Sequence, residues 1–130
     1  MIDPTTDGGC FCGAVRYRTT KDPVFSLWCF CKDCRVRAGT DGYAGYMVND
    51  GDFEHLQGET SHIDTIAESG RTVARHFCPA CGSHLWGRTE LGLTSIAAGT
   101  LDDPDLFKPD RVAFAEQAPS WARLPDINNE

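Results

Sequence analysis

Seven cysteines in 130 residues carry most of the chemistry in this sequence, and they fall into short groups. The densest is Trp28-Cys29-Phe30-Cys31-Lys32-Asp33-Cys34-Arg35. Cys29 and Cys31 are two apart, so in an extended segment their thiols face the same way. Cys31 and Cys34 have the spacing of a metal-binding turn. Three thiolates can thus converge on one ion, one fewer than close a structural zinc site, and an open position is what a catalytic zinc keeps. Three thiolates also make zinc a poor activator of water. An external thiolate filling the open position stays electron-rich, so the site suits thiol attack on an electrophilic carbon. Lys32, Arg35 and Arg37 cluster beside it and suit the carboxylates of an anionic thiol.

The other four cysteines form two pairs, Cys10-x-Cys12-Gly13 and Cys78-x-x-Cys81-Gly82. The second resembles a zinc knuckle, whose tight turn aims two sulfurs at one ion and whose glycine tolerates positive φ. Together the pairs make a four-cysteine structural zinc site. Such an ion contributes on the order of 10–16 kcal/mol to folding.

Blander readings stand beside these. The four thiols could be buried and metal-free. One of His55, His62, His76 or His84 could close the triad into a second structural zinc. Without metal, Cys31 and Cys34 could form a reversible disulfide, making the protein a thiol redox sensor. Each basic residue taken singly is a candidate surface charge, and Trp28, Trp86 and Trp121 read first as core.

The elements that must hold these groups read as strands. Ala14 to Thr19 alternates apolar with polar residues, and Val24 to Phe30 runs into the triad. Tyr43 to Val48, Phe53 to Leu56, Ser61 to Ala67 and Arg71 to Phe77 follow, then His84 to Arg88, Leu91 to Ala98 and Arg111 to Ala115. Asp7-Gly8-Gly9, Lys21-Asp22-Pro23 and Glu68-Ser69-Gly70 read as turns or breaks, and Asn49-Asp50-Gly51-Asp52 as a hairpin turn. Arg35 to Gly42 reads as a flexible loop, Leu101 to Leu106 as one helical turn, and Pro119 to Pro125 as an apolar tail that packs. No helical period lasts ten residues. The expectation is a mainly-β single domain over residues 1–130.

Composition narrows the partners. Formal net charge is −7, which argues against nucleic acid and anionic membranes. Met1 to Asp7 has neither a basic start nor an apolar run, and no stretch approaches the roughly 20 apolar residues of a membrane span. An odd number of cysteines fits a disulfide framework poorly. A cytoplasmic protein acting on small molecules is expected, its oligomeric state left open.

Four segments taken in order resemble a known family. They are Gly9-Cys10-x-Cys12-Gly13-x-Val15-x-Tyr17, Cys29-x-Cys31-x-x-Cys34-Arg35, Arg75-x-Phe77-Cys78-x-x-Cys81-Gly82-Ser83 and Pro119-x-Trp121. The family is that of glutathione-dependent formaldehyde-activating enzymes, which includes centromere protein V type domains. The resemblance implies a β-tent zinc fold of antiparallel sheets. It puts structural zinc on Cys10, Cys12, Cys78 and Cys81, and catalytic zinc on Cys29, Cys31 and Cys34. It implies glutathione as co-substrate and formaldehyde as the aldehyde, joined as S-(hydroxymethyl)glutathione by a carbon–sulfur lyase running in reverse. Phe30 departs from the pattern, since many members carry histidine there. The same fold would also serve a non-catalytic module that binds zinc or a thiol.

Overall fold

A computed structural model describes residues 5–20, 22–67 and 69–127. The expected features at Met1 to Pro4, Lys21 and Glu68 lie outside the described residues. Among those described, ten strands form two sheets, so the mainly-β expectation holds. The smaller sheet joins β1 (Thr5–Gly9), β2 (Arg16–Thr20) and β5 (Phe53–Gln57). The larger runs in the order β10, β3, β4, β9, β8, β7, β6. Its members are β3 (Phe25–Cys29), β4 (Tyr43–Asn49), β6 (Ser61–Ile66), β7 (Thr72–Phe77), β8 (His84–Arg88), β9 (Leu93–Ala97) and β10 (Arg111–Ala113). Pairing is antiparallel except for β10, which lies parallel to β3.

Aromatic rings join the sheets. Trp86 of β8 is buried, with Phe53 at 4.8 Å, His55 at 5.0 Å, His76 at 5.3 Å and Tyr17 at 5.9 Å between ring centroids. Phe53, His55 and Tyr17 come from the smaller sheet, so Trp86 is the bolt between the layers. Burying such rings removes large apolar areas from water, the main favourable term in folding.

Several expectations change in the structure. Asp7-Gly8-Gly9 is strand, not turn, with Gly8 opposite Tyr17. The glycine is needed because a Cβ there would fall 2.2 Å from the Tyr17 hydroxyl and 2.5 Å from the Thr100 carbonyl. Asn49 to Asp52 is not a hairpin, because β4 pairs with β3 and β9 while β5 crosses to the other sheet. Asp50 is tied instead to β9: it accepts from Thr94 Oγ1 at 2.7 Å and donates its N–H to Gly92 at 2.9 Å. The expected turn before Phe107 is a 3₁₀ turn at Pro104–Leu106. Trp121 is 65% exposed, so the tail does not bury its largest ring.

Gly8→Ala should lower stability by about 1–3 kcal/mol through overpacking against Tyr17. Gly51→Ala, where a Cβ meets open space, should change it by less than about 0.5 kcal/mol. Urea unfolding of both variants checks this, and equal effects would contradict it.

Candidate functional site

The four-cysteine group is assembled by two turns. The first follows β1: Gly13 (φ 83°) returns its N–H to the Cys10 carbonyl at 3.1 Å. The second follows β7: Gly82 (φ 79°) returns its N–H to the Cys78 carbonyl at 2.8 Å. Positive φ is cheap only for glycine, which explains its place after each pair. The Phe11 N–H donates to Ser83 Oγ at 2.9 Å and locks one turn onto the other.

The sulfurs fit a tetrahedral ion. All four lie within 4.8 Å of one another, with Cys10–Cys12 at 3.6 Å and Cys12–Cys78 at 3.8 Å. Zn–S bonds of about 2.3 Å give tetrahedral S···S edges of about 3.8 Å. Acidities are uneven within the group. The Ser83 hydroxyl and backbone lower Cys81 to about 5. Burial raises Cys10, but the Val15 amide and neighbouring thiols outweigh it and bring it down. The Ala14 amide lowers Cys12, yet Cys10 and Cys81 push it up to about 11. Thiols this close cannot all ionise alone, and a cation replacing their protons removes the conflict.

The triad is built where β3 meets a helix. Arg35 to Gly42, expected as a loop, contains most of α1 (Lys32–Ala38), closed by Gly39 at φ 74°. Seven residues are too few to show a helical period, and the cap is a thiol: Cys31 Sγ accepts the Cys34 N–H at 3.2 Å. The Phe30 N–H donates to Ala113 of β10 at 3.0 Å, and the Lys32 N–H to Gln117 Oε1 at 2.9 Å. The late chain therefore clasps the segment on both sides of Cys31. Cys29 and Cys31 are buried, Cys34 is half-buried, and Cys34 Sγ lies 3.4 Å from Cys29 Sγ. The Cys34 thiol lowers Cys29 to about 6, against burial and with help from Arg75, while Cys34 itself is driven up by that contact.

Among the described residues no histidine or carboxylate joins the triad, so the closure by histidine is not what the fold builds. His55 and His76 pack on Trp86, His62 lies against His76, and His84 packs on Tyr43. The three cysteines instead border a cavity of about 440 Å³, within the size range of small-molecule sites. Arg37, Arg75, Asp33, Thr65 and Phe114 also line it. Phe114 holds φ 55°, a conformation costing a non-glycine residue about 1–2 kcal/mol. Of the basic residues beside the triad, Arg37 reaches the cavity, whereas Lys32 and Arg35 lie outside its lining. Arg75 was missed as a site residue: it comes from β7, 41 positions after Cys34, and only the Arg75-x-Phe77-Cys78 segment hinted at it. Phe30 does not line the cavity either; it is fully buried against Trp28.

The sequence model of the glutathione-dependent formaldehyde-activating enzyme family matches residues 5–117. The chain belongs to this family. A Halomonas elongata protein, named "Putative glutathione-dependent formaldehyde-activating enzyme", is 32% identical over 128 residues, covering 91% of this chain and 80% of that one. The crystal structure of a Rhodobacter sphaeroides protein superposes with a TM-score of 0.63 at 18% identity, covering 82% of this chain and 99% of that one. That likeness concerns the fold alone. Both cysteine groups lie within the matched stretch of the family.

Cys78→Ser should leave the metal-loaded protein unfolded or insoluble, because losing even part of about 10–16 kcal/mol exceeds what a small domain can spare. Far-UV circular dichroism and a thermal scan check this. A soluble variant with an unchanged midpoint would remove the structural role of the four-cysteine group.

Proposed function

We propose that this family member joins a glutathione-like thiol to a formaldehyde-like aldehyde, giving S-(hydroxymethyl)glutathione or a related adduct. In the reverse direction this is carbon–sulfur lyase chemistry. One observation carries the reading: three thiols with no fourth protein donor among the described residues border a cavity that also holds two guanidinium groups. The family match and the name of the Halomonas relative support it.

The donor set of Cys29, Cys31 and Cys34 fits zinc, which would supply an open position and a positive charge that keeps an incoming thiol ionised at neutral pH. The chain's own residues do the rest. Cys31 stays in place because it caps α1, and Cys29 because β10 and β4 flank its strand. Arg37 and Arg75 hold the thiol's acidic end, which fixes sulfur near the triad and converts a collision into a positioned encounter. The substrate sulfur attacks the carbonyl carbon, a C–S bond forms, and the carbonyl electron pair moves to oxygen. The proton lost by the thiol is regained at that oxygen, so no further reactant is needed. The cytoplasm, where thiols are kept reduced, is the compartment that suits this reaction.

Exchange NMR with ¹³C-formaldehyde and glutathione tests the reading. The wild-type protein should speed adduct formation and breakdown, and Cys31→Ser should return both to the uncatalysed rate. Serine caps helices well, so the variant keeps its fold. Acceleration retained in the variant would exclude the triad as the site. No acceleration by the wild type would leave a module that binds thiols without turning them over.

A further inference from the structure

A row of side chains crosses five strands of the larger sheet: Tyr46, Ile96, Trp86, His76 and His62, each the register partner of the next. The first three are buried, His76 is half-buried and His62 is exposed, so the row runs from the core to water at the β6 edge. Thr65 and Arg75, which line the triad cavity, alternate with these residues along β6 and β7 and face the other side of the sheet. The row therefore ends away from the triad, and it ends in two imidazoles.

The two rings have the spacing of ligands on one ion. Metal–nitrogen bonds of about 2.1 Å, at angles between a right angle and the tetrahedral value, put two coordinated imidazole centroids about 4.5–5.2 Å apart. The centroids of His62 and His76 are 5.0 Å apart, with their planes 31° from parallel. Each ring also has an oxygen beside Nδ1. Thr60 Oγ1 lies 2.9 Å from His76 Nδ1, and Asp64 Oδ1 lies 3.3 Å from His62 Nδ1. These oxygens favour the tautomer protonated at Nδ1, which leaves the Nε2 lone pair free, the arrangement that orients metal-binding histidines. Burial, then His62, Arg88 and His55, holds His76 below its usual range and keeps its ring neutral at neutral pH. Arg88, a cation felt at His76, is itself paired with Asp50, while Asp64 brings negative charge to the rings. Stacking on Trp86 accounts for His76 as packing, but His62 lies out in water and buries little.

We propose that His62 and His76 form an exchangeable metal site, distinct from both cysteine groups, that takes one divalent cation of the zinc, nickel and copper class through its two Nε2 atoms. Imidazole nitrogen suits these borderline metals, whereas magnesium and calcium prefer oxygen. Among the described residues no third protein donor joins the pair, so water completes the shell. Two imidazoles hold a metal more weakly than three or four thiolates, so the site fills only when free metal is supplied. Its occupancy would tie the edge strand β6 to β7, and it does not depend on the chemistry at the triad.

Imidazole ¹H–¹⁵N spectra of zinc-loaded protein given further zinc test this. Zinc should shift the Nε2 signals of His62 and His76 along one saturable curve and leave those of His55 and His84 in place, and magnesium should shift none. His62→Ala should weaken this binding at least about tenfold, and Asp64→Asn about tenfold, the usual cost of losing the group that orients a ligand. Both positions are exposed, so neither variant puts folding at stake. Millimolar zinc that moves neither imidazole, or that binds His62→Ala as tightly as the wild type, would overturn the site.

Discussion

Four sulfur atoms from two turns, with Cys12 and Cys78 66 positions apart, converge on a point between the smaller sheet and the end of β7. One wall of the triad cavity hangs from that closure, while β3, α1 and β10 hold the triad cysteines themselves. β7 carries Cys78 just past its end and Arg75 within it, so anchoring the one fixes the other. The first turn ends β1, which brings Gly8 onto Tyr17 and the smaller sheet onto Trp86. A chain this short buries a modest core, and a metal held by these four thiols would offset what the core lacks.

The two cysteine groups then divide the work by geometry. In the first, four sulfurs supply a complete tetrahedral donor set, all within 4.8 Å of one another. In the second, three sulfurs gather at one end of a cavity, two buried and one half-buried. The backbone amide of Cys34 donates to Cys31 Sγ, so the thiol that belongs to the triad also starts the helix. The clasp from β10 and Gln117 holds this turn, and Phe114, between the two and beside the cavity, takes the left-handed conformation.

Much of this was legible in the residues. The cysteine groups are local patterns, and spacings of two or three residues translate directly into shared direction. Alternating strands were visible for the same reason. What escaped was either too short or too distant. Helix α1 spans seven residues and is capped by a cysteine, which no usual capping signal announces. Asn49 to Asp52 has the composition of a hairpin, but the Thr94 hydroxyl and Gly92 carbonyl claim Asp50 and send the chain to the other sheet. Gly8 and Gly9 looked like a turn because close packing and tight turning demand the same residue. Arg75 sits in an alternating strand where nothing local marks it as facing the triad. Lys32 and Arg35 were near in sequence, and helical geometry carries them away from the cavity.

Zinc content, with X-ray absorption at the zinc edge on purified protein, addresses the central claim most directly. The account predicts two equivalents per chain, one for each cysteine group. One should sit in a shell of sulfur alone, and the other should combine three sulfurs with a lighter, exchangeable donor. A single equivalent in an all-sulfur shell would contradict the open metal site at Cys29, Cys31 and Cys34 and the chemistry derived from it.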